Sequence, residues 1–523
     1  MKKNTHETNY YTNSRDLQLL IDERFAEKAI AENDSVRLLD KIVEEMDLSA
    51  LSGTYACTGR PTAIAPSTTL KIMLYASLEG IRAPRQIQKR CERDINYIWL
   101  LDGASAPEFN HFERFRRDHL SKCADRLLAQ LVGKLAALGE IRFEHLFVDG
   151  TKIEANANKY SFVWKKSVTK YETRLLGKLE RKIPELCEKY GIMAATGEDL
   201  LLQMEGKMVT PLVHGRGKRK SQLQRDIEEL EGLLQRKEKY SGYQRTFGER
   251  NSFSKTDPDA TFMHMKEDHM RNSQLKPGYN IQFGVEGEYI VGVDVSSERN
   301  DQNTLIPLLE QMEEQLGIKY QDVIADAGYE SEENYSYLEE KQIGSYIKPT
   351  NYERSKTKKF KSNMALRENM IYNADSDEYT CQNGMKLQAK YISRRESKTG
   401  FISLITHYEC ESCEGCPYKS KCTKAEGNRK MTVSKRFIEQ RAESLKRITS
   451  ETGVQLRMNR SIQSEGAFGV VKEDYNFRRF LTRGNKNVRT EILLAAMGYN
   501  IRKLHAKIQQ NRTKTQLFQK VST

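Results

Sequence analysis

The order of predicted elements between residues 278 and 349 constrains the fold of this chain more than any other feature. Alternating apolar residues in GYNIQFGVEGEYIVGVDVSSERND (278–301) predict two strands, with the turn between them at EGE (286–288). The residues that follow predict, in turn, a helix, a strand, a second helix and a second strand, at 304–316, 322–329, 332–341 and 344–349. This succession is typical of an α/β fold with a mixed sheet and flanking helices.

The residues before this sheet predict a separate helical domain at 1–140. Apolar residues recur there at helical spacing, as in Leu70, Met73 and Leu74. One predicted helix carries basic residues on another face, namely Arg85, Lys89, Arg90 and Arg93. Short basic helices joined by tight turns predict either a helix-turn-helix that binds DNA or a plain helical bundle with a solvated basic face.

Two further stretches are expected to be insertions in the α/β core. Charged residues with apolar stripes at 167–250 predict two helices folded back as an antiparallel hairpin. A Cys-rich segment occupies 351–430. The core is therefore expected to combine a first part at 141–350 with a last part at 431–523, which is largely helical and basic.

The composition favours a protein with an anionic partner. Lys and Arg number 85 and Asp and Glu number 72, which gives a formal net charge of +13. Neutralisation of phosphates by such cations supplies most non-specific affinity for DNA. No apolar run approaches the about 18 residues of a membrane span, and the N-terminus lacks the apolar core of a secretion signal. We expect a cytoplasmic protein without membrane contact.

Two aspartates stand where an apolar strand gives way to small residues. Asp149 follows HLFV and precedes Gly150, and Asp326 follows DVIA. An Asp-Gly pair between strands is a strong hairpin signal, so one interpretation of Asp149 is a simple turn. The other is that two central strands present their carboxylates side by side, as Mg²⁺ prefers. Asp294, at the end of IVGVD, is expected on an outer strand, and Asp301 is expected to be a helix N-cap or a supporting group.

Glu465 offers a third carboxylate, from a predicted helix in NRSIQSEGAFGVVKED. Lys472 lies two helical turns further on, so an unbroken helix would place it on the same face as Glu465. Three carboxylates suit two-metal phosphoryl transfer, in which one ion activates the attacking oxygen and the other stabilises the leaving oxygen. Cations such as Lys472 and Arg460 would stabilise the negative charge of the transition state.

Four cysteines with the spacing C-x2-C-x2-C-x5-C predict a metal site: Cys410, Cys413, Cys416 and Cys422. Structural Zn²⁺ on four thiolates is the leading interpretation and an iron–sulfur cluster is the second. The basic residues around the cluster favour two interpretations equally. One is a metal site that faces DNA, and the other is a metal site that only stabilises the fold and has a solvated, charged rim. The other five cysteines are expected to be scattered, buried fillers: Cys57, Cys91, Cys123, Cys187 and Cys381.

Several motifs resemble the signatures of bacterial insertion-sequence DDE transposases, in particular those of the IS1182 group. They are FVDGTKIEANANKY, GYNIQ, VIADAGYESEENY and SEGAFGVVKEDYNFRRFLTRG, and they occur in the order of the family. The N-terminal GRPTAIAPSTTLKIMLYASLEGIRAPRQIQKRC is similar to the helical domain that precedes the catalytic core in those proteins. The resemblance covers about residues 45–510.

This resemblance implies an RNase H-like catalytic core that holds two Mg²⁺ or Mn²⁺ ions on Asp149, Asp326 and Glu465. Family members often carry a Tyr-Arg-Glu-Lys signature, and the spacing from Glu465 to Lys472 fits it. Arg460 lies five positions before Glu465 rather than four, so its implied contact with the transposon-end phosphate departs from the pattern. Basic residues after the last acid are also expected to contact DNA, namely Arg478, Arg479 and Arg483.

The function implied is that of a DNA transposase. Such an enzyme binds the terminal inverted repeats of its own element, cuts the ends with metal-activated water and joins the freed 3′-OH to target DNA. Its expected partner is double-stranded DNA, as transposon ends and as target, with a homodimer in the synaptic complex at the nucleoid of a bacterial cell. Two alternatives stay open: an RNase H-like nuclease without strand transfer, and a non-catalytic DNA-binding regulator derived from a transposase.

Overall fold

A computed structural model describes residues 23–55, 62, 64–209, 213–214, 220–265 and 274–514. The chain divides into two compact units. The first unit is Met1–Leu131 with Leu494–Thr513, and the second is Val132–Leu493 with Lys514–Thr523.

The described part of the first unit is helical. Up to the unit boundary its helices are α1 (Glu23–Ala29), α2 (Ser35–Glu44), α3 (Ser49–Ser52), α4 (Pro66–Leu78), α5 (Pro84–Arg93), α6 (Ile95–Leu101), α7 (Phe109–Arg114) and the start of α8 (Ala124–Ala137). α2 packs against α4, and α4 against α6, through buried residues such as Leu39, Leu70 and Tyr97. The helical prediction for this part of the chain is confirmed.

The second unit contains a six-stranded mixed sheet and a separate two-stranded sheet. The strands are β1 (His145–Glu154), β2 (Phe162–Trp164), β3 (Ser252–Ser254), β4 (Thr261–His264), β5 (Leu275–Glu286), β6 (Tyr289–Ser296), β7 (Asp322–Ala325) and β8 (Gly344–Ile347). β5 pairs antiparallel with β1 on one edge and with β4 and β6 on the other, while β1, β7 and β8 run parallel. β2 pairs with β3. The mixed sheet and its hairpin at EGE are confirmed.

A helical insertion separates β2 from β3. It consists of α9 (Lys165–Tyr190), α10 (Gly197–Gly206) and α11 (Gln222–Phe247). α9 and α11 run antiparallel, because Lys189 at the end of α9 pairs with Asp226 at the start of α11 at 2.5 Å. The predicted hairpin is thus confirmed, but it has a third helix, α10, whose buried Leu200 and Met204 join the same apolar core.

Helices follow β6 and β7 as predicted. They are α12 (Leu305–Leu316) and α13 (Glu332–Glu340). α12 packs on β6, where the absence of side chains at Gly284 and Gly292 leaves room for Met312.

A second, five-stranded antiparallel sheet follows β8, and the sequence did not predict it. Two single-turn helices, α14 (Tyr352–Ser355) and α15 (Lys358–Lys361), lead to β9 (Ile371–Asn373), β10 (Glu378–Thr380), β11 (Lys386–Glu396), β12 (Ile402–Cys410), the short α16 (Lys419–Cys422) and β13 (Lys430–Val433). The sheet has its own small apolar core around Tyr379, Leu387 and Tyr408.

Long helices complete the second unit. α17 (Lys435–Thr449) packs on β8, and α18 (Glu451–Gly469) packs on β1, β5 and β7. Phe468 of α18 stacks on Phe283 of β5 with the ring centroids 4.4 Å apart. Because Gly284, the next residue of β5, faces Met312, α12 and α18 cover opposite faces of the sheet.

A π-helical turn at Val470–Asp474 continues α18, and α19 (Asn485–Gln509) crosses the boundary between the units. Within the described parts of the chain, every helix is too short or too polar to cross a lipid bilayer.

Candidate active site

Asp149 and Asp326 occupy neighbouring positions on the two central strands β1 and β7. The strands run parallel with Phe147 opposite Ile324, and each aspartate stands two residues further along. Asp326 directly follows β7 in extended conformation, with φ −81° and ψ −178°. Because side chains alternate along a strand, both carboxylates emerge on the same face, on strands about 5 Å apart. The turn interpretation of Asp149 is wrong, since β1 continues well beyond it.

The Asp149 carboxylate is largely buried, with 20% of its side chain exposed. Its Oδ1 accepts a hydrogen bond from the Gly150 N–H at 2.9 Å, and its Oδ2 lies 3.2 Å from Nη1 of Arg460. Burial raises the pKa of Asp149, the Arg460 guanidinium lowers it, and the negative charges of Asp326 and Asp301 raise it further, with a net upward shift. The site therefore concentrates negative charge in a place with little water.

Asp326 shapes the turn that follows β7. Its Oδ1 accepts a hydrogen bond from the Gly328 N–H at 2.7 Å, and the chain then forms a 3₁₀ turn at Ala327–Tyr329. Tyr329 is fully buried. Burial raises the pKa of Tyr329, and the charges of Asp301, Asp149 and Asp326 raise it further. The negative charges of all three carboxylates thus act on one buried tyrosine.

Arg460, rather than Glu465, is the residue of α18 that reaches Asp149. Glu465 is exposed, and its Oε1 accepts a hydrogen bond from Ser461 Oγ at 3.0 Å. Five residues turn an α-helix by about 140° beyond one full revolution, so the two side chains leave α18 in different directions. The structure therefore brings Asp149 and Asp326 together and leaves Glu465 on the outer surface of α18.

Lys472 does not follow from Glu465 along an unbroken α-helix. α18 ends at Gly469, and Lys472 lies in the π-helical turn, where each residue advances the helix by a smaller angle. The unbroken helix on which that expectation rested is therefore absent, and the shared face of Lys472 and Glu465 stays a prediction. π-helical turns occur frequently at functional sites.

Basic residues border the end of β1. The Phe480 N–H donates to the Glu154 carbonyl, so the loop after the π-helical turn runs beside this strand. Arg479 Nη2 donates to the Ala157 carbonyl at 3.1 Å, and about half of its side chain is exposed. Arg483 Nε donates to the Asn156 carbonyl at 2.8 Å. Arg478, in the same loop, pairs with Glu473 of the π-helical turn at 2.5 Å.

The basic residues predicted in the first unit lie on α5. The Arg85 guanidinium lies 4.8 Å from the ring centroid of Phe109, and Arg90 pairs with Asp94 at 2.8 Å. Lys89 and Arg93 are exposed on the same helix.

Asp294 lies where it was expected, whereas one of the two interpretations of Asp301 does not hold. Asp294 lies on β6, an outer strand as expected, and pairs with Arg489 at 3.5 Å. The N-cap prediction for Asp301 is wrong, because its carboxylate Oδ1 accepts from Asn280 Nδ2 at 2.7 Å instead of capping a helix. One sequence signal pointed to this arrangement. Asn280 and Gln282 are polar residues on a buried strand, and buried amides need hydrogen-bond partners.

The predicted cysteine cluster lines a single cavity, together with one cysteine predicted to be a scattered filler. The five thiols that line it belong to Cys381, Cys410, Cys413, Cys416 and Cys422. Burial and the neighbouring Cys413 raise the pKa of Cys410 to about 12. All eight cysteines in the described part of the chain are free thiols.

Two sulfur atoms in this cavity accept hydrogen bonds from Arg429. Its backbone N–H donates to Cys413 Sγ at 3.3 Å, and its guanidinium Nη1 lies 3.5 Å from Cys422 Sγ. Such donors stabilise negative charge on sulfur, the form that binds metal ions. Cys91 and Cys123 are buried and Cys187 is half-buried, in line with their predicted role as fillers, and Cys57 lies outside the described residues.

As the side chains lie in the described parts of the chain, no group of three or more His, Cys, Asp and Glu residues forms a ready-made metal site. The chemistry at Asp149 and Asp326 nevertheless fits a divalent cation. Two carboxylates share one face, that of Asp149 is largely buried, and a cationic guanidinium already lies against it.

Two known families match the chain. The family described as "Transposase domain (DUF772)" matches residues 24–118, and the family described as "Transposase DDE domain" matches residues 380–505. Together they indicate an insertion-sequence DDE transposase, a class of DNA-processing enzyme that depends on metal ions. The pairing of these two domains is consistent with the IS1182 group, as the sequence motifs predicted. No curated protein matches the chain.

The mixed α/β architecture of the second unit is consistent with this class. Glu465, Lys472 and the four clustered cysteines lie inside the second matched segment, whereas Asp149 and Asp326 lie between the two segments.

Proposed function

We propose that this protein is a DNA transposase that cuts the ends of its own element and joins them to target DNA, with Asp149 and Asp326 at the reaction centre. The observation that carries the proposal is the placement of these two carboxylates at neighbouring positions on parallel central strands. The sheet order also supports an RNase H-like core, because antiparallel β6, β5 and β1 continue into parallel β7 and β8.

In this proposal Asp149 and Asp326 hold Mg²⁺ or Mn²⁺. Glu465 remains the predicted third acid, and it would reach them only if α18 shifts or turns on the sheet so that Glu465 replaces Arg460 beside Asp149. The bound ions would activate the attacking oxygen and stabilise the leaving oxygen at phosphorus. Arg460 would exchange its contact with Asp149 for a contact with DNA phosphate. Lys472, on the π-helical turn, would neutralise phosphate charge.

The DNA is proposed to pass along the end of β1, where exposed arginines already border the strand. Arg478, Arg479 and Arg483 lie in this loop and would contact the backbone phosphates. In the first unit the proposed contacts are Arg85, Lys89, Arg90 and Arg93 of α5. Two copies of the chain would hold two transposon ends in one synaptic complex.

Replacement of single aspartates tests the reaction centre. The substrate is duplex DNA carrying the terminal inverted repeat of the element that encodes the protein. Asp149→Ala and Asp326→Ala should abolish metal-dependent cleavage while leaving DNA binding at fixed salt unchanged. Asp322→Asn is the matched control, because Asp322 lies at the other end of β7 and pairs with His145. Cleavage by Asp326→Ala at the wild-type rate would refute the assignment.

A second assay separates the alternatives. Pre-cut DNA with a free 3′-OH is mixed with supercoiled target plasmid, and joined products are measured. Joining that depends on Asp149 identifies a transposase. Cleavage without joining identifies a nuclease, and DNA binding without either reaction identifies a regulator.

We further propose that the thiol cavity binds structural Zn²⁺. The support is that five thiols line one cavity and that Arg429 donates two hydrogen bonds to sulfur. The thiols would have to move closer together to hold the ion, because the side chains in the described residues form no ready-made metal site. Four thiolates would fill the tetrahedral sphere of the ion and leave no position for a substrate, so its contribution would be to the stability of the five-stranded sheet.

A further inference from the structure

Asp301 lies close to the backbone that follows each of the two aspartates of the proposed reaction centre. It begins a 3₁₀ turn, Asp301–Asn303, after β6, and this turn packs against the turn that follows Asp326. Its Oδ1 accepts hydrogen bonds from Asn280 Nδ2 at 2.7 Å and from Gln282 Nε2 at 3.3 Å. Both amides belong to buried residues of β5, so they hold the carboxylate in one orientation.

The Asp301 oxygens approach the glycine that follows each aspartate. A Cβ atom at Gly150 would lie 2.9 Å from Asp301 Oδ1, and a Cβ atom at Gly328 would lie 3.2 Å from Asp301 Oδ2. Gly150 faces the opposite side of β1 from Asp149, because successive side chains alternate. Asp301 therefore supports the backbone from the side of the sheet that the Asp149 carboxylate does not face.

The same hydrogen-bond network reaches the turn after Asp326. Tyr329 ends the 3₁₀ turn that follows Asp326, and its hydroxyl donates to Gln282 Oε1. Gln282 Nε2 in turn donates to Asn280 Oδ1 at 3.0 Å. Tyr329, Gln282 and Asn280 are all buried. Movement of Asp301 would thus loosen the backbone next to both aspartates at once.

We infer that Asp301 is a positioning residue. It fixes the backbone after Asp149 and Asp326, so that both carboxylates stay in the positions needed to bind the same cation. The inference deepens the proposed function and rests on it. Asp301 acts through hydrogen bonds and contact with glycine backbone, not through contact with DNA. Its hydrogen-bond acceptor therefore matters more than its charge.

The test measures cleavage of terminal-repeat DNA by the full-length protein across a titration of Mg²⁺. Asp301→Ala should lower the rate at saturating Mg²⁺ about 10²-fold, because small displacements of reacting groups cost rates of this size. Asp301→Asn, which keeps an acceptor oxygen, should stay within about 10-fold of wild type. Asp294→Asn is the control, since this carboxylate lies on the neighbouring strand and pairs with Arg489. Its rate should be unchanged.

A swap of donor and acceptor separates positioning from simple folding. Asn280→Asp alone places two carboxylates 2.7 Å apart and should reduce cleavage as strongly as Asp301→Ala. The double variant with Asn280→Asp and Asp301→Asn restores one N–H···O bond and should recover most of the rate. Urea unfolding midpoints of all variants are measured alongside. If Asp301→Ala does not fold, the comparison of Asn280→Asp with the double variant tests the inference instead.

The inference is overturned if Asp301→Ala cleaves within threefold of wild type, or if the double variant recovers no activity over Asn280→Asp. It is also overturned if Asp294→Asn loses as much activity as Asp301→Ala. A wild-type protein that does not cleave the DNA at all would instead refute the proposed function. The two failures are therefore distinguishable.

Discussion

At the candidate site, burial and the charge of Arg460 act on the pKa of Asp149 in opposite directions. Asp149 loses hydration through burial and lies near the charges of Asp326 and Asp301, while Arg460 offsets part of this cost. Such an arrangement favours function over stability, because a cation would relieve the repulsion that the fold alone leaves in place. The consequence can be measured in the absence of DNA.

We expect Asp149→Asn to stabilise the metal-free protein at neutral pH. The pKa of Asp149 is raised above its ordinary value of 3.8, so the native state binds this proton more tightly than the unfolded state does. Native stability is therefore lost as the pH rises from 3.8 through the raised value, and the loss is complete above it. Asparagine does not titrate, so the variant should gain about 0.5–1 kcal/mol at pH 7.

Urea unfolding in the presence of a chelator checks this prediction. The difference between variant and wild type should shrink as the pH falls toward 3.8. Added Mg²⁺ should stabilise the wild type and leave Asp149→Asn unchanged, because a ligand stabilises only the protein that binds it. A wild-type protein that is the more stable of the two at pH 7 without metal would contradict the expectation.

At the scale of elements, the sequence predicted what local patterns determine. The order of strands and helices from β5 to β8 followed from alternating apolar residues and from turn signals, because each element there is mostly buried on one face or both. The sheet from β9 to β13 was missed, since most residues of β11 are exposed and lack apolar alternation.

The candidate site, too, could be predicted only where local sequence patterns determine it. Asp149 and Asp326 were found because each ends a run of apolar strand residues. For Asp301 the sequence left open a helix cap and a supporting group. The contact of Asp149 with Arg460 and the hydrogen bonds of Asp301 with β5 depend on how α18 and the turn after β6 pack against the sheet. Long-range packing of this kind leaves no periodic signal in the sequence.

Gly150→Ala tests how tightly β1 packs beside the site. The new Cβ would lie 2.5 Å from Gln282 Nε2 and 2.9 Å from Asp301 Oδ1, and the hydrogen bond from Tyr329 prevents Gln282 from moving away. We expect a loss of about 1–3 kcal/mol in the free energy of unfolding. Thermal or urea unfolding measures it.

Gly177→Ala provides the control for this substitution. Gly177 lies inside α9, where a Cβ would meet no atom within 4 Å. Alanine should stabilise this helix by about 0.5–1 kcal/mol. Equal effects of the two substitutions would show that the close packing at Gly150 is absent.

The five-stranded sheet should depend on zinc. We expect the protein purified without chelator to carry about one Zn²⁺ per chain, measured by atomic absorption, and to unfold at lower temperature after chelation. Cys413→Ser should lower the zinc content, because Cys413 is buried in the thiol cavity and accepts a hydrogen bond from Arg429. Cys187→Ser, in the helical insertion, should leave it unchanged. Full zinc occupancy in Cys413→Ser would contradict the proposed site.

At the scale of the whole molecule, charge links the proposed chemistry to DNA. The formal net charge of +13 gives the chain a general attraction for polyanions, which carries no sequence information. Carboxylates at the reaction centre would oppose this attraction locally. The proposed function therefore requires cations near the acids and along the DNA. Arg460 lies against Asp149, and the exposed arginines after the π-helical turn lie further along, at the end of β1.

Salt dependence of DNA binding should identify these arginines as phosphate contacts. The logarithm of the association constant falls linearly with the logarithm of salt concentration, by about 0.9 for each phosphate neutralised. Arg479→Ala should weaken binding to terminal-repeat DNA and to unrelated DNA equally, and should reduce the slope by about one. Arg236→Ala, on exposed α11 of the helical insertion, is the charge-matched control and should keep the wild-type slope. Should both variants shift the slope equally, the attraction would belong to net charge alone, and the loop beside β1 would lose its proposed place along the DNA.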